Sequence, residues 1–171
     1  SQQVKQNFYG AMYKNLGYYT SAEDVYNSAG IINAYNSGYL TAGDIKYEDT
    51  NGDGQLTSED YRRMGKSGSP HNQFGLNINL SYKGFYFSTL FQGSLGFDLY
   101  VTPSLGMQTG QTGDMPVAYD YQTDFWTPDN RDAQYPRLMS NTGLNSNNNY
   151  ASSDLWLING SYLRMKDFQF G

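Results

Sequence analysis

The chain has 171 residues, a formal net charge of −5 and a pI near 4.6, an acidic balance that argues against a nucleic-acid-binding protein. It contains no cysteine, which excludes disulfides, thiolate catalysis and cysteine-ligated zinc. No apolar run approaches the roughly 18 residues that a membrane helix needs, but a mean hydropathy of −0.68 is compatible with membrane strands, whose polar and apolar residues alternate.

The first part of the chain predicts one strand and one short helix. Aromatic residues alternate along residues 7–19, which indicates a strand. Residues 20–24 combine capping hydroxyls with two acids, so we expect a short helix to begin here. The stretch 20–72 is otherwise irregular, and we expect it to form a long loop.

Within this loop, residues 49–60 match the twelve-residue calcium-binding loop. Oxygen-bearing side chains stand at alternate positions, where a tight loop aims them at one point, and Gly54 permits the sharp turn between them. Ca²⁺ takes about six to eight oxygen ligands, so the pattern predicts a structural calcium site. The candidate ligands are Asp49, Asn51, Asp53, the backbone carbonyl of Gln55, and Asp60.

The segments that flank this loop differ from those of a paired calcium switch. Residues 39–48 alternate apolar and polar residues, which indicates extended chain where a switch has an entering helix. On the exit side, Ser58 as a cap predicts a short helix that runs through Met64 and stops at Gly65. We therefore expect a structural calcium site, or clip, that orders the long loop. The alternative is a tight turn that Asn, Gly and Asp favour by themselves, without a metal.

Residues 73–93 carry the strongest secondary-structure signal. Apolar side chains alternate with amides and small residues for about ten residues, Lys83 and Gly84 form a tight turn, and a second alternating run returns. About ten residues is the length that a tilted strand needs to cross a bilayer. An apolar face opposite an amide-rich face is typical of outer-membrane barrels, so we expect a transmembrane hairpin; a hairpin of a soluble sandwich is the alternative.

A second long loop and a further strand follow the hairpin. Residues 94–154 are rich in Gly, Thr, Asn and Pro, and residues 155–171 predict the next strand. Both long loops lie at the end of the hairpin opposite its two-residue turn, so we expect both on the extracellular side. The sequence thus predicts an all-β fold: antiparallel strands from a transmembrane β-barrel that this chain cannot close alone, with long extracellular loops and one short helix.

The last predicted strand changes its pattern partway along. Leu163 and Met165 share one face, whereas Phe168 and Phe170 share the other. A β-bulge at residues 166–167 would reconcile the two halves. The chain lacks a starting Met and ends inside this strand, so we expect a piece of a larger protein.

Four motifs occur in order along the chain and together resemble the C-terminal barrel part of SusC/RagA-type TonB-dependent outer-membrane transporters. The resemblance covers most of this chain but only a fraction of such a transporter. The motifs are residues 43–54 (GDIKYEDTNGDG), 82–85 (YKGF) with 91–93 (FQG), 125–130 (FWTPDN) with 135–138 (YPRL), and 161–166 (SYLRMK).

This resemblance implies part of a plugged barrel of about 22 strands, surrounded by membrane lipid and covered by a SusD-like surface lipoprotein. Such transporters import oligosaccharides or peptides with energy relayed by TonB, which would act through an N-terminal part that this sequence lacks. The implied location is the outer membrane of a Gram-negative cell, with the loops extracellular. Because the ligand contacts of this family vary between members, no substrate-binding residue is transferred to this chain.

A soluble calcium-dependent carbohydrate-binding module is the main alternative. Aromatic side chains in the loops could stack on sugar rings, with Asn and Asp bonding the hydroxyls. The same side chains serve equally as loop packing or as the interfacial belt of a membrane barrel, which we favour. The residues concerned are Tyr119, Tyr121, Trp126 and Trp156.

An enzyme is a more distant alternative. Asp114, Asp120, Asp124 and Asp129 could supply a glycosidase pair, but acids in loops are ordinarily solvated. His71, the single histidine, has no candidate nucleophile beside it. We therefore expect no catalytic site.

Overall fold

The computed structural model describes residues 8–31, 40–102, 120, 123–138 and 148–171. These residues form mostly antiparallel strands with one short helix, α1 (Ala22–Tyr26). In the described ranges no helix is long and apolar enough to cross a membrane. In chain order the strands are β1 (Gly10–Met12), β2 (Asn15–Tyr18), β3 (Gly30–Ile31), β4 (Ile45–Tyr47), β5 (Gln55–Leu56), β6 (Arg62–Met64), β7 (Asn72–Tyr82), β8 (Phe85–Leu95), β9 (Asp98–Tyr100), β10 (Leu157–Asn159) and β11 (Tyr162–Phe170).

The chain divides into two compact units. Unit 1 comprises Ser1–Gly10, Met64–Tyr100 and Leu157–Gly171. Unit 2 comprises Ala11–Arg63 and Val101–Trp156. The predicted hairpin lies in unit 1, and the predicted calcium loop lies in unit 2.

Unit 1 is built on a three-stranded antiparallel sheet in the order β11, β8, β7. Each arm of the β7–β8 hairpin has 11 residues, and the pairing runs without a shift from Tyr82 opposite Phe85 to Asn72 opposite Leu95. Lys83 and Gly84 form the turn with φ of 47° and 91°, the left-handed pair that matches the twist of a two-residue hairpin. The predicted hairpin is therefore confirmed, and the sheet is open rather than closed.

The bulge predicted in the last strand is also confirmed. The register of β11 against β8 shifts between Met165 and Asp167, so Lys166 is the extra residue. Because of this shift, both halves of β11 direct their apolar residues to one face of the sheet. Leu163, Met165, Phe168 and Phe170 stand opposite Gly93, Phe91, Thr89 and Phe87 respectively.

Unit 2 combines small sheets around its own core. Strand β2 pairs antiparallel with β4, and β3 pairs parallel with β5. Tyr19, Ile45 and Leu56 are at most 1% exposed, so this unit removes apolar surface from water by itself. Its core side chains are Met12, Tyr13, Tyr19, Ile45, Tyr47, Leu56, Trp126, Ala133 and Trp156.

The helix predicted after the calcium loop is wrong in type and extent. The helix expected from Ser58 through Met64 is only a 3₁₀ turn, Ser58–Asp60, capped by Thr57. Tyr61 is already extended, and Arg62–Met64 forms β6, which pairs with β1. Pairing to a distant strand thus overrides the local helical signal.

The other errors concern the two ends of the chain. Residues 7–19 contain two strands, β1 and β2, instead of one. Residues 155–171 begin with a 3₁₀ turn and the short strand β10 before β11 starts. Strand β10 pairs with β9, a strand inside the stretch predicted as loop, so a partner distant in sequence organises both segments.

Candidate functional site

The predicted calcium loop closes around the carboxylate of Asp49. Its two oxygens accept hydrogen bonds from the backbone N–H groups of Gly52 at 2.7 Å and Gly54 at 2.8 Å. Both glycines have positive φ, of 76° and 80°, which brings their N–H groups inward. The first predicted ligand therefore lies inside the turn.

Asn51 and Asp53 continue the same turn. The Asn51 side-chain oxygen accepts from the backbone N–H of Asp53 at 3.0 Å, and Asp53 accepts from that of Gln55 at 2.7 Å. The Asn51 amide also donates to the second Asp53 oxygen at 3.0 Å. Three predicted ligands are thus gathered on one short segment.

Asp60, the last predicted ligand, joins the start of the loop to its exit. It is completely buried, and its oxygens accept from the backbone N–H groups of Thr50 and Thr57, each at 2.8 Å. Burial alone raises the pKa of Asp60, but these hydrogen bonds outweigh burial and hold the pKa below its usual value. The carboxylate is therefore charged in the folded loop.

The donors of this loop have the right chemistry for a hard cation, since they are carboxylate, amide and backbone oxygens. A carboxylate oxygen that accepts one N–H keeps a further lone pair. Among the described residues, however, no three His, Cys, Asp or Glu side chains are grouped closely enough to hold a metal ion. In the structure, this segment is a turn held by hydrogen bonds from backbone N–H groups to its Asp and Asn side chains.

A buried ion pair that no local sequence pattern predicts joins two of the four motifs in unit 2. Asp44 is completely buried, and its carboxylate accepts hydrogen bonds from Arg137 Nε at 2.9 Å and Arg137 Nη2 at 3.2 Å. The Asn149 amide donates to the same carboxylate at 3.0 Å, and its oxygen accepts from the backbone N–H of Ile45 at 2.9 Å. The proximity of these residues could not be inferred from a local pattern, because about 90 to 105 residues separate the partners.

Gly43 lies against the indole of Trp126 beside this ion pair. Its φ is +89°, and a Cβ built there would stand 2.4 Å from the Trp126 ring. The Gly43 carbonyl accepts from the backbone N–H of Arg137 at 3.0 Å. Trp126 and Trp156 are 8% and 2% exposed, so both residues are packed rather than presented as open platforms for a sugar.

A cleft of about 650 Å³ opens in the same unit. The Tyr18 hydroxyl is buried and has no hydrogen-bond partner among the described residues. Burial and the nearby Asp124 carboxylate raise the pKa of Tyr18 above its usual value, so the phenol is neutral. The cleft is lined by Asn15, Gly17, Tyr18, Thr20, Trp126, Arg131, Asp132, Ala133, Gln134 and Leu155.

The aspartates considered for a glycosidase pair are only partly described. Asp114, like the sugar-stacking candidates Tyr119 and Tyr121, lies outside the described residues. Asp124 accepts from the Asn130 amide at 2.8 Å and from the backbone N–H of Gln134 at 3.1 Å. Its role in the structure is therefore to hold a turn.

The sheet of unit 1 has one apolar and one polar face. On the apolar face, large side chains remain widely exposed, including Leu80 at 62%, Leu163 at 65% and Phe170 at 67%. Thr89 also lies on this face, and its hydroxyl donates to the Asp167 carbonyl at 2.9 Å, so that carbonyl keeps a hydrogen-bond partner at the bulge. The opposite face carries side-chain hydrogen bonds Ser88 to Asn79, Arg164 to Gln92, and Gln169 to Asp167.

No family model matches the chain. It is 34% identical to TonB-dependent receptor P26 of Formosa agariphila over 128 residues, which is 72% of this chain and 12% of that protein. It is 27% identical to TonB-dependent receptor P3 of the same organism over 169 residues, 96% of this chain and 15% of that protein. The chain is therefore distantly homologous to TonB-dependent receptors over most of its length, and it spans less than a sixth of these relatives.

Proposed function

We propose that this chain is a segment of the barrel domain of a SusC/RagA-type TonB-dependent transporter in the outer membrane. Its distant homology to TonB-dependent receptors supports the class. The observation that carries the proposal is the three-stranded sheet, whose apolar face is exposed and whose other face is polar. A soluble protein rarely exposes such a contiguous apolar surface, whereas lipid covers it in a barrel.

The dimensions of the apolar face suit a bilayer. Strand β7, with 11 residues, extends about 34 Å at about 3.4 Å per residue, which at a tilt of about 40° spans about 26 Å of bilayer; the apolar band of an outer-membrane barrel is about 25 Å tall. No charged residue stands on this face. Its rows are Phe74, Gly93 and Leu163; Leu76, Phe91 and Met165; Ile78, Thr89 and Phe168; Leu80, Phe87 and Phe170; and Tyr82 and Phe85.

The whole transporter would import an oligosaccharide or a peptide, with a SusD-like lipoprotein outside and TonB as the energy source. Residues 20–72 and 94–154 would then be extracellular loops, and residues 73–93 and 155–171 would supply membrane strands. The role of this segment is transport rather than catalysis. Packing of Trp126 and Trp156 inside unit 2 favours this function over a carbohydrate-binding module.

Two adjacent substitutions in the full-length protein that carries this sequence test the orientation of the sheet. Ile78→Arg would place a charge in the middle row of the proposed lipid face, at a cost of about 2–4 kcal/mol. Asn77→Arg, the matched control, places the same charge on the polar face. We expect only Ile78→Arg to abolish the heat-modifiable folded band in SDS gels. Equal tolerance of both changes would contradict a lipid-facing sheet.

We also propose that residues 49–60 hold Ca²⁺ as a structural clip. The support is the order of donors, with Asp49, Asn51 and Asp53 gathered on one turn and Asp60 joining its two ends. The metal would draw the carboxylates of this segment together and order an extracellular loop. Leu56, buried at 1% exposure, anchors the segment in the core of unit 2.

Calorimetric titration of the 171-residue chain with Ca²⁺ and Mg²⁺ tests this clip. We expect binding by the wild type and loss of binding in Asp49→Asn/Asp53→Asn, because the variant removes two of the proposed anionic ligands. Asp129→Asn removes an exposed acid elsewhere and serves as the control. Unchanged Ca²⁺ affinity in the double variant, or no binding by the wild type, would exclude the metal and leave turn chemistry.

A further inference from the structure

Lys83, at the tip of the β7–β8 hairpin, is the single charged residue between Asn72 and Phe97. Both arms of the hairpin are otherwise made of apolar, amide, hydroxyl and glycine residues. The charge therefore stands alone at the narrow end of the sheet.

The conformation of the turn does not account for a lysine at this position. Lys83 has φ of 47°, and among the described residues it is the one non-glycine with a positive φ. Turns of two left-handed residues favour Asn followed by Gly, because the Asn side chain stabilises the left-handed conformation and a lysine side chain does not. A residue held in an unfavourable conformation is an indication of a role outside the turn itself.

One aromatic ring lies next to this charge, and two further rings stack on the same face of the sheet. The Lys83 ammonium lies 5.3 Å from the centroid of the Tyr82 ring, and Tyr82 is 71% exposed. The rings of Phe85 and Phe170, also exposed, stack with centroids 6.4 Å apart. Within the described part of the chain, Lys83 forms no ion pair with a carboxylate. The ammonium is therefore available to an anion from outside the protein.

We propose that Lys83 and the rings of Tyr82, Phe85 and Phe170 form a headgroup anchor that binds the phosphate of an anionic phospholipid. This inference rests on the proposed membrane role of the sheet. Tyrosine rings concentrate at the membrane interface, and a lysine next to them extends its ammonium into the headgroup layer. The anchor is continuous with the apolar face, since Tyr82 and Phe85 form the last row of that face.

The anchor also sets the depth of the hairpin. With Lys83 held among phosphates, the Tyr82 and Phe85 row lies at the boundary of the hydrocarbon layer, and the rows from Leu80 back to Phe74 lie inside it. A negative lipid surface attracts a nearby lysine by enough to shift a folding equilibrium roughly fivefold. High salt weakens that attraction because it screens exposed charges.

The test compares urea unfolding of the full-length protein in phosphatidylcholine vesicles with and without phosphatidylglycerol. Lys83→Asn removes the charge and supplies the residue that the turn favours, so the variant folds at least as well as wild type in phosphatidylcholine alone. Lys166→Asn removes an equal charge at the bulge, distant along the strands from the tip, and is the control. Phosphatidylglycerol is expected to stabilise the wild type and Lys166→Asn roughly fivefold more than it stabilises Lys83→Asn.

The outcomes separate this inference from the proposed function. Wild-type protein that inserts but gains nothing from phosphatidylglycerol, or a Lys83→Asn variant that gains as much as wild type, would overturn the anchor and leave the membrane role intact. A wild-type protein that inserts into neither vesicle would overturn the membrane role and the anchor with it.

Discussion

At the scale of single residues, Gly43 shows how a backbone position without a side chain supports unit 2. It combines φ of +89° with a Trp126 ring that would stand 2.4 Å from an added Cβ, and its carbonyl accepts a hydrogen bond from the backbone N–H of Arg137. Both the positive φ and the lack of room for a Cβ therefore require glycine at this position. Gly54 in the calcium loop has a similar φ of +80°, but no atom would lie within 4 Å of an added Cβ.

These two glycines give a matched comparison. We expect Gly43→Ala to destabilise unit 2 by about 2–4 kcal/mol, because left-handed strain adds to the overlap with Trp126. Gly54→Ala carries the strain alone and is expected to cost about 1 kcal/mol. Urea unfolding followed by tryptophan emission measures both changes, since both tryptophans of the chain lie in unit 2. Equal effects would show that the Trp126 contact adds nothing.

Asp24 in α1 should make the stability of unit 2 depend on pH. The Lys46 ammonium, 2.7 Å away, and the backbone N–H of Thr20 hold the pKa of this carboxyl below its usual value. Because the folded pKa is lower than the unfolded one, the stabilisation is complete above the unfolded pKa. It is lost as pH falls through the folded pKa.

The expected contribution of Asp24 is about 0.5–1 kcal/mol, since the pair is partly exposed. Urea midpoints measured between neutral pH and acid should show a shallower acid slope for Asp24→Asn than for wild type. Glu23→Gln removes the neighbouring acid and should keep the wild-type slope. An identical slope in Asp24→Asn and wild type would contradict the pairing with Lys46.

At the scale of elements, the bulge in β11 decides which face of the sheet is apolar. Lys166 is the extra residue, and without it Phe168 and Phe170 would move to the polar face. Asp167 and Gln169 would move to the apolar face in their place. A local insertion of one residue thus keeps the face continuous along the whole strand.

Deletion of Lys166 is therefore expected to prevent folding of the sheet in the full-length protein, with loss of most of the heat-modifiable band. The physical reason is that the deletion carries a carboxylate onto the proposed lipid face. Lys166→Asn keeps the chain length and should retain the folded band. A folded deletion variant would mean that the register of β11 adapts elsewhere.

Thr89 supports the same bulge by a hydrogen bond. Thr89→Val keeps the shape of the side chain but leaves the Asp167 carbonyl without its 2.9 Å donor, at an expected cost of about 1–3 kcal/mol. Thr89→Ser retains the hydroxyl and should lose less stability. Urea unfolding of the full-length protein in vesicles compares them; equal losses would assign the effect to packing instead.

At the scale of the whole molecule, the two units differ in how far they bury their apolar side chains. Unit 2 encloses Tyr19, Ile45 and Leu56 in its own core, whereas the sheet of unit 1 leaves Leu80, Leu163 and similar residues exposed. Water is therefore an adequate solvent for unit 2 and a poor one for the sheet.

Hydrogen exchange of the 171-residue chain tests this difference. In buffer without detergent we expect slow exchange in peptides that contain Tyr19 and Ile45, whose amides donate to Asp44 and Asn149. Peptides from β7 and β8 should exchange rapidly and gain protection in detergent micelles, because the micelle covers the apolar face. Protection of the sheet in plain buffer would contradict a lipid-facing surface.

The sequence by itself determined the hairpin, its turn and the bulge, because alternation of period two and the Lys83–Gly84 turn are signals between near neighbours. It also predicted a tight turn at residues 49–55, where Asp49 and Asn51 accept hydrogen bonds from nearby backbone N–H groups; the calcium site there stays a prediction. Only the tertiary structure decided that Arg62–Met64 is a strand and that Asp44 binds Arg137 and Asn149. Those contacts join segments far apart in the chain, where periodicity and turn chemistry carry no information about the partner.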